Sequence, residues 1–265
     1  QFFSKFKKSM STLFESLHKP LVTYKVKDSA FEKILPFGTD LELRDRYINF
    51  FGGLRLGKLL EEFDLIAGEV AYKHTEGLER SLTIVTAACD RIDLLGELHS
   101  DRDLQMLSSI NWVGRSSLEV GIRISSKEEN SWVRVARAYF IMVARREGKA
   151  EAVNSLLPLS KDERRRFKEG EQRQRERRAI AQTSYLHYKP TLEESHVLLN
   201  LFLQNKNREI DGVPMHKSIR QSTLLMHPQS RNVHNNIFGG HLMREAFELA
   251  WNITFLYCRK RPQFV

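Results

Sequence analysis

Apolar and polar positions along the chain repeat first with the period of a helix and then with the period of a strand. Between residues 54 and 74 (LRLGKLLEEFDLIAGEVAYKH), apolar side chains return every three or four positions, which predicts a long amphipathic helix closed by Gly77. The segment 41–48 ahead of it is predicted as a short strand. Four strand-like segments with turn residues between them come next, at residues 80–93, 104–112, 117–126 and 131–145.

This order of elements predicts the fold class. One long helix followed by several strands in succession is typical of an α+β fold, in which an antiparallel sheet packs a helix against one face. A doubly wound α/β fold would require strands and helices to alternate, and they do not.

Charge is concentrated beyond Pro158. Residues 161–178 hold nine basic and five acidic side chains at helical spacings. This pattern favours a solvated linker helix whose own charged side chains form ion pairs with one another. A nucleic-acid-binding arm is the weaker interpretation, because Phe167 is the only aromatic side chain in this stretch. At the other end of the chain, residues 1–17 follow a helical period with lysines among the apolar positions. A docked helix is favoured there, and a membrane-surface helix or targeting segment stays open.

Two further elements are predicted in the last third of the chain. Residues 191–204 form a helix whose first turn has a capping box, with Thr191 as N-cap and Glu194 three positions later. Residues 218–226 are predicted as a strand.

Composition narrows the classes of function. The 265 residues are 41% hydrophobic and 28% charged, as in globular proteins, and their net charge of +9 favours an anionic partner. Nucleic acid, a lipid surface and a phosphorylated small molecule all fit that charge. We expect no integral membrane segment, because no apolar run approaches the ~20 residues that cross a bilayer. Two cysteines give no disulfide framework, and no metal-binding motif occurs, so no metal is expected.

A repeat relates the two halves of the chain. Five residues recur at an offset of 187 and indicate a duplication. Asn49, Phe51, Gly52, Gly53 and Glu61 recur as Asn236, Phe238, Gly239, Gly240 and Glu248.

Each copy of the repeat runs through a glycine pair into an amphipathic helix. The first amides of a helix lack partners and carry partial positive charge, so they suit a developing oxyanion or a phosphate; the four repeated glycines are therefore candidate substrate-binding residues. Asn49 and Asn236 can hold a water or polarise a carbonyl, and Glu61 and Glu248 can act as general bases. Asp64 is a rival acid on a similar face. The alternatives are ordinary turn residues and solvated glutamates.

The segment 227–248 resembles the hotdog-fold acyl-CoA thioesterases that carry two hotdog domains in one chain. It matches their Pro-x-x-x-Asn-x-x-Gly-Asn-x-x-Gly-Gly pattern at Pro228, Asn232, Asn236, Gly239 and Gly240, with Asn235 where a glycine is usual. The resemblance implies a hotdog fold, in which an antiparallel sheet wraps a long central helix and two hotdogs pair around the active site.

The resemblance also implies a function. A thioester would be hydrolysed to a free fatty acid and coenzyme A by general-base-assisted attack of water, without a cofactor. An asparagine of one hotdog would act with an acid of the other, so Asn49 pairs with Glu248 or Asn236 with Glu61, and the choice stays open. The family's acid comes seven positions after the second glycine, where the repeat register places Leu60 and Phe247 instead. A non-catalytic acyl-CoA-binding module is the alternative.

The resemblance further implies a homo-oligomer formed through hotdog pairing, a mitochondrial location in the matrix, and no nucleic-acid partner. We predict four segments: an N-terminal helix (1–19), a first hotdog (20–155), a charged linker (156–185) and the start of a second hotdog (186–265). Only 25 residues follow Gly240, so the second hotdog is expected to be incomplete in a fragment or shortened form.

Overall fold

A computed structural model describes residues 21–78, 82–182, 189–207, 212–232 and 235–263. The helix predicted for residues 1–17 lies outside these ranges. The chain divides into two compact units. Of the described residues, those up to 170 and those in 226–245 form one unit, and those in 171–225 and 246–263 form the other.

The first unit is built on an antiparallel sheet. Its strand order is β2-β4-β5-β6-β3, with β7 added beside β6, while β1 and β8 form a separate parallel pair. The described residues form eight strands: β1 (Thr23–Lys25), β2 (Phe31–Leu35), β3 (Thr83–Leu94), β4 (Leu104–Val113), β5 (Ser117–Glu128), β6 (Ser131–Arg146), β7 (Lys149–Ala150) and β8 (Ser155–Leu157). The four strands predicted from the sequence correspond to β3–β6 and are confirmed.

Helix α2 (Leu56–His74) packs against one face of this sheet. Its stripe of Leu59, Ile66 and Val70 is essentially inaccessible to solvent. The stripe meets alternate residues of the strands, such as Val120 on β5, because successive side chains of a strand point to opposite faces. The predicted helix against an antiparallel sheet is therefore confirmed, and burial of this apolar face is its main source of stability.

The opposite face of the sheet is covered by the first turns of α3 (Lys161–Gln182). Gly170 is buried there, and a Cβ atom at this position would lie 2.7 Å from Trp112 Cβ and 3.1 Å from Glu119 Oε1. A register shift between Ile110 and Trp112 turns Trp112 onto this outer face, opposite Glu119. The predicted linker helix thus exists, but it is docked along one side instead of being solvated all round.

Two short segments differ from the sequence prediction. Residues 41–48 were expected to be a strand, but Leu41–Asp45 form a helical turn, α1. The Asp40 carboxylate accepts a hydrogen bond from the Leu43 amide at 2.9 Å and caps this turn, so a local side-chain contact decides the conformation. The strand predicted at 218–226 is also wrong: α5 (Met215–Ser218) ends there, and residues 219–227 form neither helix nor strand.

Two longer helices complete the described chain. In α4 (Leu192–Asn207) the predicted capping box is confirmed, with the Thr191 amide donating to Glu194 Oε2 at 2.8 Å and the Glu194 amide donating to Thr191 Oγ1 at 3.2 Å. Helix α6 (Gly239–Cys258) begins at the second glycine pair. No strand follows β8 in the described part of the chain. The predicted domain boundaries stay predictions.

Candidate active site

A tight loop precedes α2. Ile48 and Leu54 form an isolated β-bridge, and between them the Asn49 amide donates to the Gly53 carbonyl at 2.8 Å. The Gly52 amide donates to the Asn49 carbonyl at 2.9 Å, and Gly52 has a φ of +78°. A glycine is favoured at Gly52 because other residues are strained in this left-handed region.

The loop before α6 has the same backbone hydrogen bonds. Arg231 bridges Ile237, the Asn232 amide donates to the Asn236 carbonyl at 2.7 Å, and the Asn235 amide donates to the Asn232 carbonyl at 2.9 Å. Asn235 takes the left-handed conformation with a φ of +63°. Asparagine tolerates this conformation better than most residues, which explains why it replaces the usual glycine of the motif.

These matching contacts relate the two loops by an offset of 183 residues, from Asn49 to Asn232, and not by the 187 of the sequence match. Gly53 corresponds to Asn236 in this register, and the pair Gly239–Gly240 corresponds to Leu56–Gly57. The sequence match aligned a glycine of a loop with a glycine of a helix start, which serve different purposes. Seven positions after Gly57 the chain carries Asp64, and seven after Gly240 it carries Phe247.

Asp64 belongs to α2 and is 3% exposed, and its side chain contacts the start of α6. Its Oδ2 accepts a hydrogen bond from the Gly240 amide at 2.7 Å, and its Oδ1 accepts one from the Thr86 hydroxyl on β3 at 2.6 Å. Burial raises the pKa of Asp64, and the hydrogen bonds from Thr86 and Gly240 partly oppose that rise. Burial, with the charge of Asp64 as a second cause, also raises the pKa of Cys89 to about 11.

The start of α6 approaches α2 so closely that only glycine fits. A Cβ atom on Gly240 would lie 2.9 Å from Glu61 Cα and 2.7 Å from the Phe238 ring, and one on Gly239 would lie 3.1 Å from Asp64 Oδ2. A 20-residue helix carries partial positive charge at its first amides. The carboxylate of Asp64 therefore meets an electropositive helix start inside a buried site.

The predicted acid Glu61 is close to the same helix start but is held by cations. Its carboxylate contacts Lys58 Nζ at 2.6 Å and Arg244 Nε at 2.9 Å. Both ion pairs hold the Glu61 carboxylate in place beside α6. The other predicted acid, Glu248, lies further along α6 and is half-buried. The catalytic roles of both glutamates stay predictions.

The two predicted asparagines shape their loops. Asn49 Oδ1 accepts hydrogen bonds from the amides of Phe51 at 2.9 Å and Gly53 at 3.3 Å, which is the local turn chemistry of asparagine. Asn236 closes the second loop through its backbone, whose amide donates to Asn232 Oδ1 at 3.1 Å. Catalytic roles for Asn49 and Asn236 likewise stay predictions.

Sequence reasoning named Asp64 only as a rival acid and missed Thr86. One signal for Asp64 was available, since a carboxylate on the apolar stripe of a buried helix is costly unless it is bound or used. Thr86 gave no such signal, because threonine is common in strands. In the part of the chain that the structure describes, no three potential metal ligands cluster. No helix among those residues is long and apolar enough to span a membrane.

Comparison with known proteins agrees with this geometry. Residues 48–133 match the thioesterase superfamily. Mouse mitochondrial acyl-coenzyme A thioesterase 9 is 35% identical to this chain, over 98% of the chain and 63% of that protein. The human protein of the same name is 35% identical over 90% of the chain and 58% of its own length. The chain thus spans about three fifths of the length of these curated relatives.

Solved structures show the same fold. An acyl-CoA hydrolase from Staphylococcus aureus matches with a TM-score of 0.52 and 22% identity, covering 68% of this chain and 98% of that one. A hexameric acyl-CoA thioesterase matches with a TM-score of 0.51 and 26% identity, covering 61% and 98%. The predicted hotdog arrangement is confirmed, and residues 48–133 form a thioesterase-superfamily domain.

Proposed function

We propose that this chain carries an acyl-CoA thioesterase site in which Asp64 is the general base. The observation that carries the proposal is the buried Asp64 carboxylate, whose Oδ2 accepts a hydrogen bond at 2.7 Å from the Gly240 amide in the first turn of α6. A general base works best when its pKa is near the operating pH, and burial moves the pKa of Asp64 in that direction. The names of the mouse and human relatives support acyl-CoA as the substrate class.

The reaction follows from the two groups that meet here. Asp64 takes a proton from a water molecule as the water attacks the thioester carbonyl carbon. Negative charge then develops on the carbonyl oxygen, and the Gly240 amide with the α6 dipole stabilises it once the thioester takes over this donor from Asp64. The tetrahedral intermediate collapses to the free acid, and the departing thiolate of coenzyme A takes the proton held by Asp64.

Thr86 positions the base. Its hydroxyl binds Asp64 Oδ1 at 2.6 Å, so the two carboxylate oxygens are distinguished: one is held by β3, and the other faces the helix start. A fixed carboxylate loses less entropy on reaching the transition state than a mobile one. We therefore assign Thr86 a positioning role.

Only one side of the repeat carries this acid. In the 183-residue register the counterpart of Asp64 is Phe247, which cannot accept a proton. Of the two predicted pairings, the position of Asp64 supports the one that combines α2 with the second loop, which contains Asn236. The pairing of Asn49 with Glu248 lacks such support, because position 247 carries phenylalanine where an equivalent acid would be needed.

The net charge of the chain and the names of its relatives bear on its ligand, its location and its assembly. The net charge of +9 complements the phosphates of coenzyme A. The mouse and human relatives are named as mitochondrial, which supports a mitochondrial location, and within mitochondria we propose the matrix. Assembly into a homo-oligomer through hotdog pairing is part of the proposal, and the hexameric neighbour supports it.

Thiol release from several acyl-CoAs, followed with a thiol reagent, tests the proposal. Asp64→Asn should lower kcat at least about 100-fold, as loss of a general base does. Asp45→Asn, which changes an exposed acid on α1, is the matched control and should leave kcat unchanged. Full activity of Asp64→Asn would refute the assignment. Binding of acyl-CoA without turnover by the unaltered chain would favour the non-catalytic module instead.

A further inference from the structure

Where α2 contacts the start of α6, residues that hold equivalent positions in the two repeats meet, as they would near an approximate two-fold axis. Glu61 and Arg244 occupy the same position in the two repeats, since both follow the 183-residue register of the loops. They also touch each other, with 2.9 Å between Arg244 Nε and Glu61 Oε1. In a two-fold interface only residues on the axis meet their own counterparts. We infer that an approximate two-fold axis passes beside this pair.

The next equivalent positions flank the same point. Lys58 and His241 also correspond at an offset of 183, and both lie by Glu61, at 2.6 Å and 4.0 Å respectively. Glu245 contacts Arg244 at 2.7 Å on the other side. Charges of alternating sign thus line the axis, and Glu61 and Arg244 stand at its centre.

We propose that this central charge pair selects the partner of each repeat, so that α2 of the first repeat pairs with α6 of the second and not with another α2. Pairing two α2 helices would put Glu61 against Glu61, and pairing two α6 helices would put Arg244 against Arg244. The two side chains are only 15% and 19% exposed, so water screens such repulsion poorly. Lys58 would flank the axis between two α2 helices, and Glu245 would flank it between two α6 helices. In both pairings two like charges would still meet at the centre.

The other contacts of the interface do not make this choice. Asp64 hydrogen-bonds the Gly240 amide, but Gly57 holds the equivalent position at the start of α2. Two α2 helices would therefore keep an aspartate opposite a glycine amide on each side. Discrimination by charge at one central position is an economical way to disfavour that alternative. This selection is independent of whether the site hydrolyses acyl-CoA.

Charge reversal in the full chain tests the proposal. Glu61→Arg and Arg244→Glu each place like charges at the axis, so both should lower the midpoint of urea unfolding, and the double reversal should recover most of the loss. Glu42→Arg is the control, because Glu42 pairs with Arg46 on an exposed helix and should leave the midpoint nearly unchanged. A double variant no more stable than the single variants would overturn the proposal.

A mixing experiment measures partner choice directly. When tagged Glu61→Arg chains are refolded together with untagged Arg244→Glu chains, complementary charges meet only between different chains. Capture on the tag should then recover about tenfold more untagged chain than a mixture of tagged and untagged unaltered protein, because each close charge pair contributes to partner choice. The test remains decisive if each single variant fails to fold alone, since their joint refolding is the quantity measured. Equal capture from both mixtures would overturn the proposal.

Discussion

Replacing Gly240 by alanine should separate α6 from Asp64 without changing any charge. The added Cβ would lie 2.9 Å from Glu61 Cα, and that neighbour is backbone that no rotamer change can move. Ordinary carbon contacts are about 3.5–4.0 Å, so the two helices must part by roughly 0.6–1.1 Å. The hydrogen bond from Gly240 to Asp64, now 2.7 Å, then stretches beyond about 3.2 Å and is lost.

Two measurable effects follow from this separation. Overpacking typically costs about 1–3 kcal/mol of the free energy of unfolding. Loss of an amide that stabilises the oxyanion typically lowers kcat by about 10²–10³-fold. Urea unfolding and thiol release on the same preparation give both values.

Gly68→Ala is the matched control for this substitution. Gly68 lies inside α2, and a Cβ atom there meets nothing within 4 Å. Alanine should therefore stabilise the helix by up to about 1 kcal/mol and leave kcat unchanged. If Gly240→Ala folds with unaltered kcat, the start of α6 plays no part in the reaction and the reasoning fails.

Three further predictions concern titration and positioning. Because the pKa of Asp64 is raised, its buried charge lowers stability at neutral pH, and this cost disappears as the pH falls below the ordinary pKa of 3.8. Asp64→Asn should therefore be more stable than the unaltered chain at pH 7, as measured by urea unfolding, and the difference should shrink in acid. Burial lowers the pKa of His74, whose Nε2 lies 2.9 Å from the Asn154 carbonyl oxygen. The contribution of His74 to stability is therefore fully present above the ordinary pKa of 6.5 and is lost as the pH falls through the lower pKa of the folded state. His74→Gln should flatten that part of the plot of stability against pH. Thr86→Val should lower kcat about tenfold and shift its pH profile, whereas Thr86→Ser should retain both, because only the hydroxyl orients the base.

The sequence predicted the parts of the fold that depend on periodicity. The stripe of Leu59, Ile66 and Val70 and the alternation along β5 each follow from the geometry of a single element. The short segment 41–45 could not be predicted in the same way, since one carboxylate, Asp40, decides it.

The site was harder to predict because glycine is used for two different reasons. Gly52 provides a left-handed turn, whereas Gly240 allows two helices to approach. The two uses of glycine cannot be told apart in a sequence, so residue identity alone favoured the alignment at an offset of 187. Thr86 reaches Asp64 only through the pairing of β3 in the sheet, which no local pattern encodes.

The docked face of α3 limits how the molecule can assemble. The first turns of this helix lie over Trp112 and Glu119, and Gly170 leaves no gap between them. A second sheet cannot stack back to back on this surface unless the helix is peeled away. Higher assemblies must therefore grow from other sides of the first unit, and an inhibitor of assembly aimed at this surface would have to compete with the chain's own helix.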